Sequence, residues 1–189
     1  MAGIIEVKDQ GKLRIYDADN SNYIDIVVPS TVSSNRTITL PDASFTVPTS
    51  NTGKVLQVVS TIRATEITTS SQSYVTTNCT ASITPSATSS KVLVTIAGAG
   101  RQNDDGGTAK YTVFRDSTAL GSNTANGFSE ISVSGGTFIK GAYVINFLDS
   151  PSSTSAVAYT LFMKNQTSTT CRACHNNTNT TVTLMEIGA

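Results

Sequence analysis

The stretch GAYVINFLDSPSSTSAVAYTLFMKN, residues 141–165, decides the fold class. Tyr143, Ile145 and Phe147 recur at every second position, and after a Ser-rich, Pro-containing turn so do Val157, Tyr159, Leu161 and Met163. A period of two places successive side chains on opposite faces of a strand. Two such runs separated by turn residues predict two successive β-strands. The pattern spreads outward in both directions. Strands are expected at 55–60, 62–68, 74–83, 91–97, 109–115, 130–133, 137–148, 156–165 and 181–187, with Gly, Asn and Ser between them. No stretch carries a 3.6-residue apolar period. Many short strands with turn-rich joints predict an all-β sandwich or jelly roll.

Composition agrees. Ser and Thr make up more than a quarter of the 189 residues, and good helix formers are sparse. Thr and Val suit a pleated strand because branching at Cβ restricts χ1. Charged residues are 14% of the chain, and the 13 acidic and 13 basic side chains cancel. A chain without clustered Lys and Arg has no electrostatic footprint for nucleic acid. No run has the length and apolarity to insert in a membrane, and residues 1–12 lack the apolar core of an export signal, so assembly in the cytoplasm of the producing cell is expected.

Residues 1–53 differ from the rest. Leu13 and Ile15, then Ile24, Ile26 and Val28, alternate around the turn DADNSN (17–22), and prolines 29, 41 and 48 close successive short runs. Strands this thin bury little apolar area, so they are expected to dock on a neighbour or intertwine with other copies of the chain. Residues 54–189 have the longer strands and are expected to form one core. The expected exposed loops of that part are 98–107, 117–128 and 167–180.

Local patterns add a resemblance. The run GKLRIYDADNSNYIDIVVPSTVSSNRTITLPDA (11–43), with its G-K-L-x-I-Y-D opening and N-R-T-I-T-L-P close, resembles tail-fibre and related virion structural proteins of environmental tailed bacteriophages, marine and cyanobacterial ones above all. ITPS (83–86), SSKVLV (89–94), NFLDSP (146–151) and the ending LMEI (184–187) resemble the globular heads that follow such segments. The resemblance implies a homotrimeric, non-enzymatic virion component: an N-terminal stem or docking segment (1–53) and a head (54–189) with a jelly roll like those of the C1q and tumour-necrosis-factor trimers. Its partners would be other copies of itself, other virion proteins through the N-terminal segment, and a host cell-surface glycan or protein; no cofactor is implied. A tail fibre or spike that attaches to the host and a capsid decoration (cement) or head-fibre protein fit equally. Arg101, Asn103, Asp104, Asp105, Asn123 and Asn126 are the candidate surface-binding residues of the head's loops.

One motif points elsewhere. Cys171-Arg172-Ala173-Cys174-His175 has the C-x-x-C-H spacing of covalent c-type haem attachment. Joined by the distant Cys79, the same residues would make a Cys₃His set for zinc. A Cys171–Cys174 disulfide is a third reading. Against all three, the Thr- and Asn-rich context predicts an exposed loop with unpaired thiols, whose substitution would cost less than about 0.5 kcal/mol. Asp17, Asp19 and Ser21 superficially resemble a calcium loop, but Asn22 and Val28 stand where its Gly and bidentate Glu belong. For glycoside hydrolysis the glutamates 6, 66, 130 and 186, with Asp104 and Asp105, offer no evident carboxylate pair.

Overall fold

The computed structural model describes residues 13–27, 34, 37, 53–103, 106–121 and 125–189. The chain divides into two units, Met1–Val47 and Pro48–Ala189. In the first, β1 (Leu13–Tyr16) and β2 (Tyr23–Ile26) form an antiparallel hairpin. Its turn is built by Asp17, whose carboxylate accepts from Asn22 N–H at 3.1 Å and from Ser21 Oγ at 3.1 Å, with Asn20 in the left-handed region at φ 58°. Asp19 accepts from Ser21 N–H at 3.0 Å. The Asp and Asn side chains therefore serve the turn itself. Arg14 pairs in bidentate fashion with Asp25 across the strands at 2.7 and 2.9 Å and lies over the Tyr23 ring. The remaining alternations of the first part, 38–47, lie outside the described residues.

The second unit is all-β, with strands β3 (Val55–Arg63), β4 (Ile67–Thr69), β5 (Val75–Ile83), β6 (Lys91–Asn103), β7 (Thr108–Arg115), β8 (Thr118–Ala119), β9 (Ser129–Ser132), β10 (Phe138–Asp149), β11 (Val157–Asn165), β12 (Cys171–Ala173) and β13 (Thr180–Ile187). The long β6 pairs along one edge with β10, and along the other with β13 and then β12, which in turn pair with β3 and β4. In the facing sheet β11 lies between β5 and β7, and β7 pairs with both β8 and β9.

Taking β3/β4, β8/β9 and β12/β13 each as one interrupted row gives eight rows in chain order, arranged 1-8-3-6 in one sheet and 2-7-4-5 in the other. Successive rows change sheets except at the hairpin from row four to row five. That connectivity, antiparallel throughout, is a jelly roll. Most sequence-derived strands match it, and the alternation along β11 is strict, with Val157, Tyr159, Leu161 and Met163 all buried; the strand expected at 62–68 is instead divided between the end of β3 and β4, and β8 and β12 are additional.

The core lies between the inner faces of the two sheets. Tyr111 of β7 stacks on Tyr143 of β10 with ring centroids 4.4 Å apart, joining one sheet to the other. Buried tyrosine hydroxyls need partners, and those of the three fully buried tyrosines have them: Tyr111 donates to Arg172 C=O at 2.6 Å, Tyr143 pairs with Thr180 Oγ1 at 2.5 Å, and Tyr159 donates to Asp149 at 2.7 Å.

One expectation is corrected here. Residues 98–103, expected to open an exposed loop, continue β6. Gly98 and Gly100 are needed because a Cβ at Gly98 would collide with Tyr143 and Thr180, and one at Gly100 with the Tyr111 hydroxyl. The glycines read as turn residues; they are the floor on which two core tyrosines rest.

Candidate functional site

Rows one and eight are both interrupted at the same level of the sheet, by residues 64–66 and 174–179. Residues 174–179 hold a single 3-10 turn, with Cys174 (φ 51°) and Asn176 (φ 55°) in the left-handed region. Glu66 fastens the two interruptions together. Its carboxylate accepts from Arg172 Nη1, accepts from Asn176 N–H at 2.9 Å and lies 3.0 Å from His175 Nδ1. In return Asn177 Oδ1 accepts from Glu66 N–H at 3.2 Å. Burial pushes the Glu66 carboxyl up, but the Asn176 N–H, His175 and Arg172 together hold it below its ordinary range.

The three cysteines are buried at this level. Cys171 and Cys174 are 0% exposed and His175 is 5% exposed, and none of the thiols is in a disulfide. The expected exposed loop with thiols in solvent is thus overturned. Cys171–Ala173 is a strand of the main sheet, and protonated cysteine packs there as a small apolar residue. Burial pushes the Cys171 thiol up to about 11.

The zinc reading required Cys79 to meet the segment, and it does: its Sγ lies 3.6 Å from Cys174 Sγ. The fourfold set still does not assemble: among the described residues no group of three or more His, Cys, Asp or Glu side chains is placed to hold a metal. Haem does not fit either. Thioether attachment needs both sulfurs on a face open to the macrocycle, and both are enclosed by the core.

The candidate surface-binding residues scatter. Arg101 and Asn103 lie on β6 rather than in a loop; Arg101 covers the Phe138 ring at 4.2 Å, and Asn103 N–H donates to Thr170 C=O at 2.9 Å. Asn126 accepts from Lys110 Nζ at 2.7 Å. Asp104, Asp105 and Asn123 lie outside the described residues. The segment 117–128 is partly anchored: β8 pairs with β7, and Phe128 stacks on Phe147 at 4.7 Å. Glu6 lies outside the described residues, and the other three glutamates have structural employment. Glu186, fully buried, accepts from Gln57 Nε2 at 2.6 Å and from Ser86 N–H at 2.7 Å and Oγ at 2.6 Å. Burial opposes its ionisation, yet these donors hold it down to about 2. Glu130 sits 3.5 Å from Lys110.

The feature not anticipated is the outward face of the sheet built on β6. The strand register aligns Val58, Met185, Leu93 and Leu148 in one row across four strands, and Ile62, Thr181, Ala97 and Val144 in another. Val58, Ile62, Val144 and Leu148 are 55%, 66%, 58% and 51% exposed. Between these rows run Ser60, Thr183, Thr95 and Asn146, whose polar groups pair within the sheet: Ser60 with Thr183 at 3.0 Å, and Thr95 donating to Asn146 at 2.6 Å. The corresponding face of the other sheet differs; β5 presents Thr76, Asn78, Thr80 and Ser82 to solvent. The signal in the sequence was YVINFL (143–148), nearly continuous in apolar residues, as strands apolar on both faces are.

No protein-family model matches the chain, and no curated protein matches it. Among solved structures it is similar to the VP2 subviral particle of infectious bursal disease virus, at 15% identity and a TM-score of 0.39 over 92% of this chain and 51% of that one. It is also similar to the structure of the Gx strain of the same virus, at 12% identity and a TM-score of 0.39 over 92% and 44%. The chain spans about half the length of the structures it matches.

Proposed function

We propose that the chain is a virion structural protein, a homotrimeric tail-fibre or spike subunit of a tailed bacteriophage whose jelly-roll head contacts the host surface. The observation that carries the reading is the apolar outward face of the β6 sheet, and its occupant is the same face of further copies of the chain. Four strands about 4.8 Å apart and a span from Leu93 to Ala97 at about 3.4 Å per residue give a patch of roughly 260 Å². That is about a third of the roughly 800 Å² each partner contributes to a stable interface, so the face supplies the centre of the contact and its rim the rest. In its central row Ser60 pairs with Thr183 and Thr95 donates to Asn146 Oδ1, which lowers the cost of covering that row.

The N-terminal segment, by the resemblance of residues 11–43, docks the trimer on the particle, and three heads on one stem add avidity to weak contacts. Quantitative mass spectrometry of purified particles tests the reading. A few trimers per particle support a tail position and many tens a capsid decoration; absence of the chain from purified particles refutes a virion role. Particles made with residues 54–189 alone should lack the protein if 1–53 is the docking segment.

A further inference from the structure

We infer that Cys79 and Cys174 are a dithiol that closes to a disulfide under oxidising conditions and staples the two sheets of the jelly roll together. Cys79 lies on β5 of one sheet, and Cys174 follows β12 of the other, so the pair bridges the sandwich through its core. Their sulfurs are 3.6 Å apart, both side chains are buried, and 95 residues of chain separate them. A disulfide needs about 2.0 Å between sulfurs. The two backbones flanking the pair are already irregular: Asn78 (φ 56°) sits in the left-handed region where the β5–β11 register shifts, and Cys174 (φ 51°) ends β12 in the same region. Cys171 has no such sulfur partner; it is held on β12 beside Thr69 and Gln102, and its raised titration keeps it a thiol.

The chemistry is suited to exchange. The Cys79 sulfur contact, with Thr180 Oγ1 at 3.3 Å adding to it, pulls the Cys174 thiol down against burial, while Cys79 is pushed up. Cys174 starts the 174–179 turn, whereas Cys79 lies within a paired strand, so Cys174 is the thiol that a reagent reaches first. When the 174–179 turn opens, it attacks one sulfur of a small-molecule disulfide such as oxidised glutathione and expels the first glutathione thiolate. Cys79 then gives up its proton, and its sulfur attacks Cys174 Sγ, expelling the second. Two protein thiols are oxidised, one glutathione disulfide is reduced to two thiols, and two protons leave with them.

The test incubates the folded, reduced chain with oxidised glutathione, then alkylates it after unfolding and maps peptides without reduction. The expected result is one cross-linked peptide pair containing Cys79 and Cys174, with Cys171 alkylated. It should come with a rise in Tm on the order of 10 °C, as expected for closing a long loop, reversed by dithiothreitol. Cys171→Ser should keep both effects, and Cys79→Ser should lose both. A Cys171–Cys174 link, stable glutathione adducts in place of a link, or no link in the wild-type chain would each overturn the pairing. A Cys79–Cys174 link without a rise in Tm would overturn the staple.

Discussion

Replacing Cys171 by Ser, Cys174 by Ser and His175 by Ala together removes the C-x-x-C-H motif and measures whether that segment is core or surface. Cys171 is enclosed on β12 with the Asn165 side chain as its polar neighbour, so a serine hydroxyl there exchanges water for a single partner and costs about 2 kcal/mol. Cys174 has Thr180 Oγ1 at 3.3 Å, which partners a serine, and the cost falls to about 1 kcal/mol. Removing the His175 ring leaves a gap beneath the turn and takes one partner from Glu66, for about 2 kcal/mol. The sum is about 5 kcal/mol, a large part of the 5–15 kcal/mol typical of a domain. At roughly 3 °C per kcal/mol for a domain of this size, Tm should fall by about 15 °C. Circular-dichroism melts of the reduced proteins, with urea midpoints as a second measure, read this directly. A fall of less than about 2 °C would refute the buried placement of residues 171–175 and restore the exposed loop.

Two further perturbations probe other parts of the core. Gly100→Ala should cost more than about 2 kcal/mol because its Cβ meets the Tyr111 hydroxyl, whose bond to Arg172 C=O would break; a urea midpoint equal to wild type would contradict the close packing of β6 under Tyr111. Glu66 and Glu186 titrate lower in the folded chain than in the unfolded one, so their stabilisation is complete above about pH 4.5 and drains away as pH falls toward 2. Tm should therefore drop steadily across that interval, and Glu186→Gln should flatten the drop; curves of equal slope for the two proteins would contradict it.

Strand positions were legible where the chain alternates over enough residues to show a period of two, as along β5, β11 and β13. Three things hid the rest. β12 is three residues long, too short for any period, and its Cys-Arg-Ala content sits among Thr and Asn that suggest a loop. Gly98 and Gly100 look like turn chemistry in isolation, and only the two tyrosines packed across them explain their presence in a strand. The meeting of Cys79 with Cys174, and of Glu66 with Arg172 and His175, depends on rows one, two and eight being brought together by the jelly-roll connectivity, which spacing along the chain does not encode. The apolar outward face was present as the nearly continuous run YVINFL, but the alternation of Tyr143, Ile145 and Phe147 marks one side of β10 as core, and Asn146 between Val144 and Leu148 marks the other as polar.

Multi-angle light scattering on the full chain tests the central claim most directly, alongside a variant carrying Val58→Lys and Leu148→Lys. Both substitutions lie on the outward row that also holds Met185 and Leu93, and both side chains are half exposed in the single chain, so the charges leave the fold of one copy intact. The wild-type protein should scatter as three times the mass of one chain, and the variant should fall to one chain mass with an unchanged circular-dichroism spectrum. A folded wild-type monomer, or a trimer that the two lysines leave undisturbed, would contradict assembly through this face.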